Sequence, residues 1–244
     1  MISKKVISNI LSKYFLGGYI ERVIWEIEDK KLHINFMNDS ESLSGYVEYR
    51  DDIGLKNGKY NIFATSKLIK CVNILDGDIL LSASSNNSKL NLADTNYEIS
   101  FSLGLDGTVN QADINKDDDE GWSVSFSISD EFITRFVKSK DALGDLSEFT
   151  FSTREGFTGK ELVITMGDKE EGDSIEFTVE NPVINEDLEY IPFNSDLLKE
   201  ILKSNKDYHS GEIRIDKYGL MDIHLHCGGP LYTGYYLPQI ENNN

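Results

Sequence analysis

Leu197-Leu198-Lys199-Glu200-Ile201-Leu202-Lys203-Ser204-Asn205-Lys206 is a stretch with two faces. On a helix, its leucines and isoleucine gather on one side, while Lys199, Lys203 and Lys206 recur at four and then three residues on another. The apolar side has to be buried against other elements. The basic side needs a separate account, because it sits in a strongly acidic chain.

The whole chain has 42 acidic and 24 basic residues in 244, a formal net charge of -18. A charge of that sign repels nucleic acid in general, so the placement of the few cations decides what the protein can approach. The length suits one large or two medium domains. Apolar content of 39%, with 12 Phe and 12 Tyr, argues for folded cores and against a disordered acidic chain. No apolar run approaches the roughly 18 residues of a membrane span, and Met1-Ile2-Ser3-Lys4-Lys5 leads into an amphipathic pattern, so a soluble cytoplasmic protein with no membrane association is expected. Cys71 and Cys227 are expected to be separate buried thiols.

The helical spacing recurs elsewhere in the chain. Val6, Ile7, Ile10, Leu11 and Tyr14 predict a first helix from Lys4 to Phe15, stopped by Gly17-Gly18. Strand patterns follow at 23–27, 32–36, 45–49 and 60–63, then a second helix from Ser66 to Leu75, then strands at 79–83, 89–93 and 97–103. Residues 105–121 have little apolar periodicity and include the acidic run Asp117-Asp118-Asp119-Glu120, which marks a connector between a domain at 1–104 and another at 122–244. The second half repeats the order of the first. A strand at 122–128 leads to a helix from Asp130 to about Leu143; strands at 149–152, 162–166, 175–179 and 188–191 precede the opening helix, Ser195 to Lys206. Leu68-Ile69-Lys70-Cys71-Val72 and Leu197-Leu198-Lys199-Glu200-Ile201 match in position, each shortly after a strand ending in Phe63 or Phe193. This internal duplication is the strongest architectural signal.

The cations follow the helices: Lys4, Lys5 and Lys13 on the first, Lys67 and Lys70 on the second, Arg135, Lys138 and Lys140 on the third, Lys199, Lys203 and Lys206 on the fourth. That is 11 of the 24 basic residues. Lysine is common on exposed helix faces, but glutamate forms helices as well and this chain has acids to spare. Cations on all four helices point to one surface that faces a polyanion, held by salt-dependent phosphate contacts that carry no base sequence.

In this order of elements the chain resembles the DNA sliding clamps of the proliferating cell nuclear antigen and T-even-phage type. The most specific match is the end of the chain, Gly234-Tyr235-Tyr236-Leu237-Pro238-Gln239-Ile240-Glu241, which is similar to the Tyr-Tyr-Leu-Ala-Pro-Lys-Ile-Glu tail of eukaryotic and archaeal clamps but one residue shorter. The resemblance implies an α+β fold of two similar clamp domains, each of antiparallel sheets with two helices on one face, closing into a ring. It implies a homotrimer around double-stranded DNA, with the eleven helix cations facing the DNA. It also implies a pocket for short peptide motifs of a DNA polymerase and other clients, lined by Tyr236, Leu237, Pro238 and Ile240 with Ile114 of the connector. The subunit joint would lie between 97–103 of one chain and 162–166 of the next, and an ATP-dependent clamp loader would open the ring. The departures from cellular clamps favour a phage or other viral origin, placing the protein in the host cytoplasm.

No catalytic chemistry is legible. His224-Leu225-His226-Cys227 puts the histidines on one strand face and the others on the opposite face, the pattern of an ordinary strand. Asp113-Ile114-Asn115-Lys116-Asp117 starts like a calcium loop but has Asp118 where glycine is required and Val124 where glutamate is required. Gly156-Phe157-Thr158-Gly159-Lys160 lacks the spacing of a nucleotide-binding loop. A non-enzymatic protein without cofactor is expected. Two other readings stay open on the sequence: an open monomeric or dimeric processivity factor with one basic face, and a β-rich structural or carbohydrate-binding protein whose helix lysines are only solvated.

Overall fold

The structure, a computed structural model, describes residues 1–105, 107, 109, 112–114, 121–157, 159–168 and 172–240. The acidic run at 117–120 and Glu241 of the tail lie outside these residues. The chain divides into two compact units, Met1–Ile114 with Cys227–Thr233, and Asn115–His226 with Gly234–Asn244.

In the first unit the elements are β1 (Ile2–Ser3), α1 (Lys4–Phe15), β2 (Val23–Glu28), β3 (Lys31–Met37), β4 (Ser44–Tyr49), β5 (Gly58–Ile62), α2 (Thr65–Ile74), β6 (Asp78–Ala83), β7 (Lys89–Ala93) and β8 (Glu98–Ser102). Antiparallel pairing gives one sheet in the order β1-β6-β7-β8 and one run in the order β5-β2-β3-β4. The strands alternate as a half-buried sheet requires: Val23, Trp25 and Ile27 are buried where Ile24 and Glu26 are less so, and Leu32, Ile34 and Phe36 repeat the pattern. The helices close the inner side, α1 packing on α2 and β4, and α2 on β8. Tyr14, Trp25 and Tyr60 are the bulkiest side chains of this core. The two-residue strand β1 escapes a sequence reading because it is too short to show alternation. The first helix stops one residue before its glycines: Leu16 itself turns left-handed at φ 47, followed by Gly17 at φ 68.

The second unit repeats this scheme with β9 (Val124–Ser127), α3 (Asp130–Leu143), β10 (Glu148–Glu155), β11 (Lys160–Gly167), β12 (Ser174–Thr178), β13 (Val183–Ile184), β14 (Ile191–Asn194), α4 (Ser195–Ser204), β15 (Ser210–Ile215), β16 (Leu220–His226) and β17 (Leu231–Pro238), the last shared between the units. Its pairings run β12-β11-β10-β14 and β13-β9-β15-β16, all antiparallel. α3 packs on α4 and β11, and α4 on β10. The strand expected at 188–191 instead begins at Ile191, because Leu188 is tied from both its N–H and its C=O to Thr153. α4 ends at Ser204, so Lys206 lies beyond the helix.

Phenylalanine fills the core of this unit. Phe149 meets Phe136 edge-on at 4.9 Å between ring centres, Phe151 at 5.3 Å and Phe193 at 6.0 Å. These rings come from α3, β10 and β14, so the cluster joins the helix layer to the sheet, and edge-to-face pairs add to the gain from burial alone. Replacing Phe149 by Ala is expected to cost about 3–5 kcal/mol. Leu80→Ser, at a position 53% exposed, should cost no more than about 0.5 kcal/mol. Urea unfolding of the two variants checks the contrast.

Candidate nucleic-acid interface

Among the described residues, side-chain caps start three of the four α-helices. Ser3 accepts from the N–H of Val6, Ser129 from Phe132, and Asn194 from Asp196 and Leu197. α2 follows Ala64, which offers no side-chain cap, so Glu21 supplies the acceptor from outside, taking the N–H of Ser66 at 3.0 Å. A carboxylate at that end also complements the helix dipole.

In the first unit α1 and α2 run antiparallel. Lys4, at the start of α1, donates from Nζ to the carbonyls of Asn73 and Leu75 at the end of α2, while Tyr14, near the end of α1, meets Thr65 at the start of α2. Burial of Tyr14 pushes its hydroxyl well above the ordinary range. Lys4 is thus a tie between helices, with Asp76 3.8 Å away, more than a free surface charge. Lys13 corrects the expectation outright: its side chain is fully buried, so it cannot face DNA. It stands seven residues after Val6 and three after Ile10, on the border of the apolar stripe, and that spacing is the signal for its inward position. Lys5, Lys67 and Lys70 are exposed, with no ion partner among the described residues.

In the second unit the same antiparallel pairing consumes cations. Lys140 is 4% exposed and donates to the carbonyls of Gly144 and Leu146, both at 2.7 Å, with Asp196 of α4 at 3.1 Å. It too is removed from any DNA-facing set. It lies four residues after buried Phe136, in line with the apolar face, and its amine closes the carbonyl end of α3. Lys199 of α4 is bound to Asp141 of α3, and this contact holds the Asp141 carboxyl below the usual range and raises the lysine. Arg135 is paired with Glu131 and lies 3.9 Å from Glu180, and Lys203 sits 3.4 Å from Glu200. Only Lys138 on these two helices, and Lys206 after them, are exposed cations with no ion partner among the described residues.

The C-terminal residues are placed as follows. Leu237 is fully buried in the chain and belongs to the core, which corrects its assignment to a docking surface. Alternation along β17 puts Tyr236 on the other face, half-buried, with its ring edge-on to His224 at 6.3 Å. Pro238 is exposed, and Ile240 donates its N–H to the Pro192 carbonyl, so the tail is tied down. His224 lies 2.7 Å from buried Asp222, which Arg214 also holds. Among the described residues no group of three or more His, Cys, Asp or Glu is placed to hold a metal, and no helix is long and apolar enough to cross a membrane. Cys71 and Cys227 form no disulfide; Cys227 is buried as expected, but Cys71 is only half-buried.

Ile114 is half-buried. The connector residue that does line a groove is Val109, with Tyr19, Ile20 and Met37 as apolar walls and Glu21, Arg22, Asp39 and Glu41 around them, enclosing about 380 Å³. A lone valine in a polar connector was the available signal.

The sheet edges also differ from expectation. Residues 162–166 lie in β11, hydrogen-bonded on both sides by β10 and β12, so they have no edge to offer. One edge of that sheet is β12, the other being β14, and β8 is one edge of its own sheet. Leu103 donates inward to Ser88 and Val179 inward to Leu162. By antiparallel alternation, the N–H groups of Glu98, Ser100 and Ser102 on β8, and of Ser174, Glu176 and Thr178 on β12, point away from their sheets.

Two outcomes follow from the lysine ties. Lys140→Met should lower stability by about 1–3 kcal/mol by removing the charged hydrogen bonds to the Gly144 and Leu146 carbonyls and the contact with Asp196, whereas Lys138→Ala should change it by no more than about 0.5 kcal/mol, as read by urea unfolding. The depressed Asp141 carboxyl contributes stability above the unfolded carboxylate range and loses it as pH falls through its lowered folded value. The stability difference between the unmodified protein and Asp141→Asn should therefore be present at neutral pH and disappear in strong acid.

No family model and no curated protein matches the sequence. Solved structures match the fold. Proliferating cellular nuclear antigen from Entamoeba histolytica superposes with a TM-score of 0.76 at 14% identity, over 98% of this chain and 96% of that one. A PCNA2–PCNA3 complex from Sulfolobus tokodaii gives 0.71 at 13% identity, over 98% and 97%. With two units of antiparallel sheets, each backed by an antiparallel helix pair, the chain has the α+β fold of the proliferating-cell-nuclear-antigen sliding clamps.

Proposed function

We propose that this protein is a DNA sliding clamp: a non-enzymatic processivity factor that encircles duplex DNA without reading its sequence and tethers a replicative polymerase. The observation that carries the reading is the clamp fold over nearly the whole chain, combined with exposed lysines on the helix pairs of a protein of net charge -18. Retention by a closed ring needs no strong contact, so a few exchanging phosphate contacts suffice and the acidic remainder keeps DNA off other surfaces. Domains at 1–104 and 122–244, joined by the connector at 105–121, make a ring of six domains from three copies.

The sheet edges β8 and β12 support a head-to-tail joint in which the outward N–H and C=O groups of one copy continue the sheet of the next. Clients dock through short peptides, and the groove bordered by Val109 suits a peptide with basic residues, since Glu21, Asp39 and Glu41 outnumber Arg22 around it. Tyr236, Pro238 and Ile240 remain the tail's contribution to client binding. The chain has no nucleotide-binding loop, so an ATP-dependent loader opens the ring. A viral source acting in the host cytoplasm fits the departures in the tail.

Sedimentation should give a trimer for the unmodified protein. Ser100→Pro removes an outward donor at an edge where proline is tolerated, so it should give folded monomers. On primed circular template, the unmodified protein should lengthen polymerase products and Ser100→Pro should not. A monomer at every concentration, with undiminished stimulation, would replace the ring by an open basic face. No stimulation with any polymerase and loader of a matching source would remove the processivity reading.

A further inference from the structure

The two helix pairs carry different charge. α1 and α2 contain Lys4, Lys5, Lys13, Lys67 and Lys70 and not one Asp or Glu. α3 and α4 contain five cations, Arg135, Lys138, Lys140, Lys199 and Lys203, against five carboxylates, Asp130, Glu131, Asp141, Asp196 and Glu200. Nor is the second set simply mixed, because the opposite charges are joined: Arg135 to Glu131, Lys199 to Asp141, Lys203 to Glu200, and Lys140 to Asp196. Asp130 accepts from the Tyr208 hydroxyl at 3.0 Å. Opposite charges joined in ion pairs largely cancel each other's field, whereas unpaired lysines keep a net field out to a Debye length of roughly 8–10 Å.

We propose that the first unit's helix pair alone supplies the attraction for the DNA phosphates, through Lys5, Lys67 and Lys70, and that the second unit's pair is an electrostatically neutral wall. Subtracting buried Lys13, and Lys4 with its carbonyl ties and nearby Asp76, leaves those three lysines exposed and unaccompanied by acid on their helices. The second pair keeps Lys138 among five carboxylates. Charge complementarity therefore selects a polyanion for the first pair and nothing for the second. Duplex DNA is the occupant, an assignment that rests on the clamp reading above. A trimeric ring would then present three basic patches alternating with three neutral ones, so DNA contact would be threefold and intermittent in place of a continuous basic lining.

The test is binding of a fluorescently labelled 30-base-pair duplex at low salt by full-length protein. It compares Lys5→Glu/Lys67→Glu/Lys70→Glu with Lys138→Glu/Lys203→Glu/Lys206→Glu, which change net charge equally. The first triple should lose affinity by roughly tenfold or more and flatten the dependence of log affinity on log salt, since each phosphate contact contributes a slope of about 0.9. The second should change affinity by less than about threefold. Thermal unfolding of both, and the milder Lys→Gln versions of each triple, guard against misfolding. Equal losses in the two triples overturn the inference and leave the DNA reading standing. Failure of the unmodified protein to bind duplex at any salt overturns the DNA reading and the inference with it.

Discussion

Each helix pair depends on ammonium groups that reach across to the neighbouring helix or the loop that follows it. Lys4 satisfies carbonyls at the end of α2, Lys140 closes the end of α3 and meets the start of α4, and Lys199 is bound to Asp141. The physical demand is simple: the last carbonyls of a helix have no partner within it, and the long lysine stem can lie on apolar surface while its amine finds them. These ties hold both pairs antiparallel, and the pairs in turn cover the inner faces of the sheets. They also draw on the same residue type that a nucleic-acid surface needs, so the fold and the surface compete for lysine.

That competition explains what the sequence could and could not convey. Strand alternation in Val23–Ile27 and Leu32–Phe36, the helical spacing of α1, α2 and α4, and the repeated order of elements are local patterns, and local patterns survive in one dimension. Whether a lysine points outward is only partly local. Lys13 and Lys140 both sit at spacings that align them with apolar neighbours, so their burial was readable from helix geometry. The binding of Lys199 by Asp141 was not, because the carboxylate is 58 residues away on another helix. The same holds for sheet edges. Residues 162–166 and 174–178 both look like strands, and which of them is covered follows from pairing order, which the sequence does not display. Val109 was hidden for a different reason, as one apolar residue without periodicity.

The two units share a topology, yet they solve helix packing by different means. The first relies on bulky aromatic burial around Trp25, Tyr14 and Tyr60 and keeps its helices free of acids. The second uses a phenylalanine cluster beneath and ion pairs above. Duplicated architecture therefore does not imply duplicated chemistry, and a charge summed over all four helices conceals the difference.

The exposed N–H rows of β8 and β12 have one more consequence. Because the two edges belong to different sheets, any pairing between them is directional, and every copy added leaves one edge of each kind at the ends of the assembly. Such a building block has no intrinsic stopping point. Only the angle between successive copies decides whether the ends meet or the chain of copies spirals onward as a fibre. In the proposed ring, closure would limit growth as well as hold DNA, and a change far from either edge that alters the angle would convert a closed assembly into a growing filament without weakening a single joint.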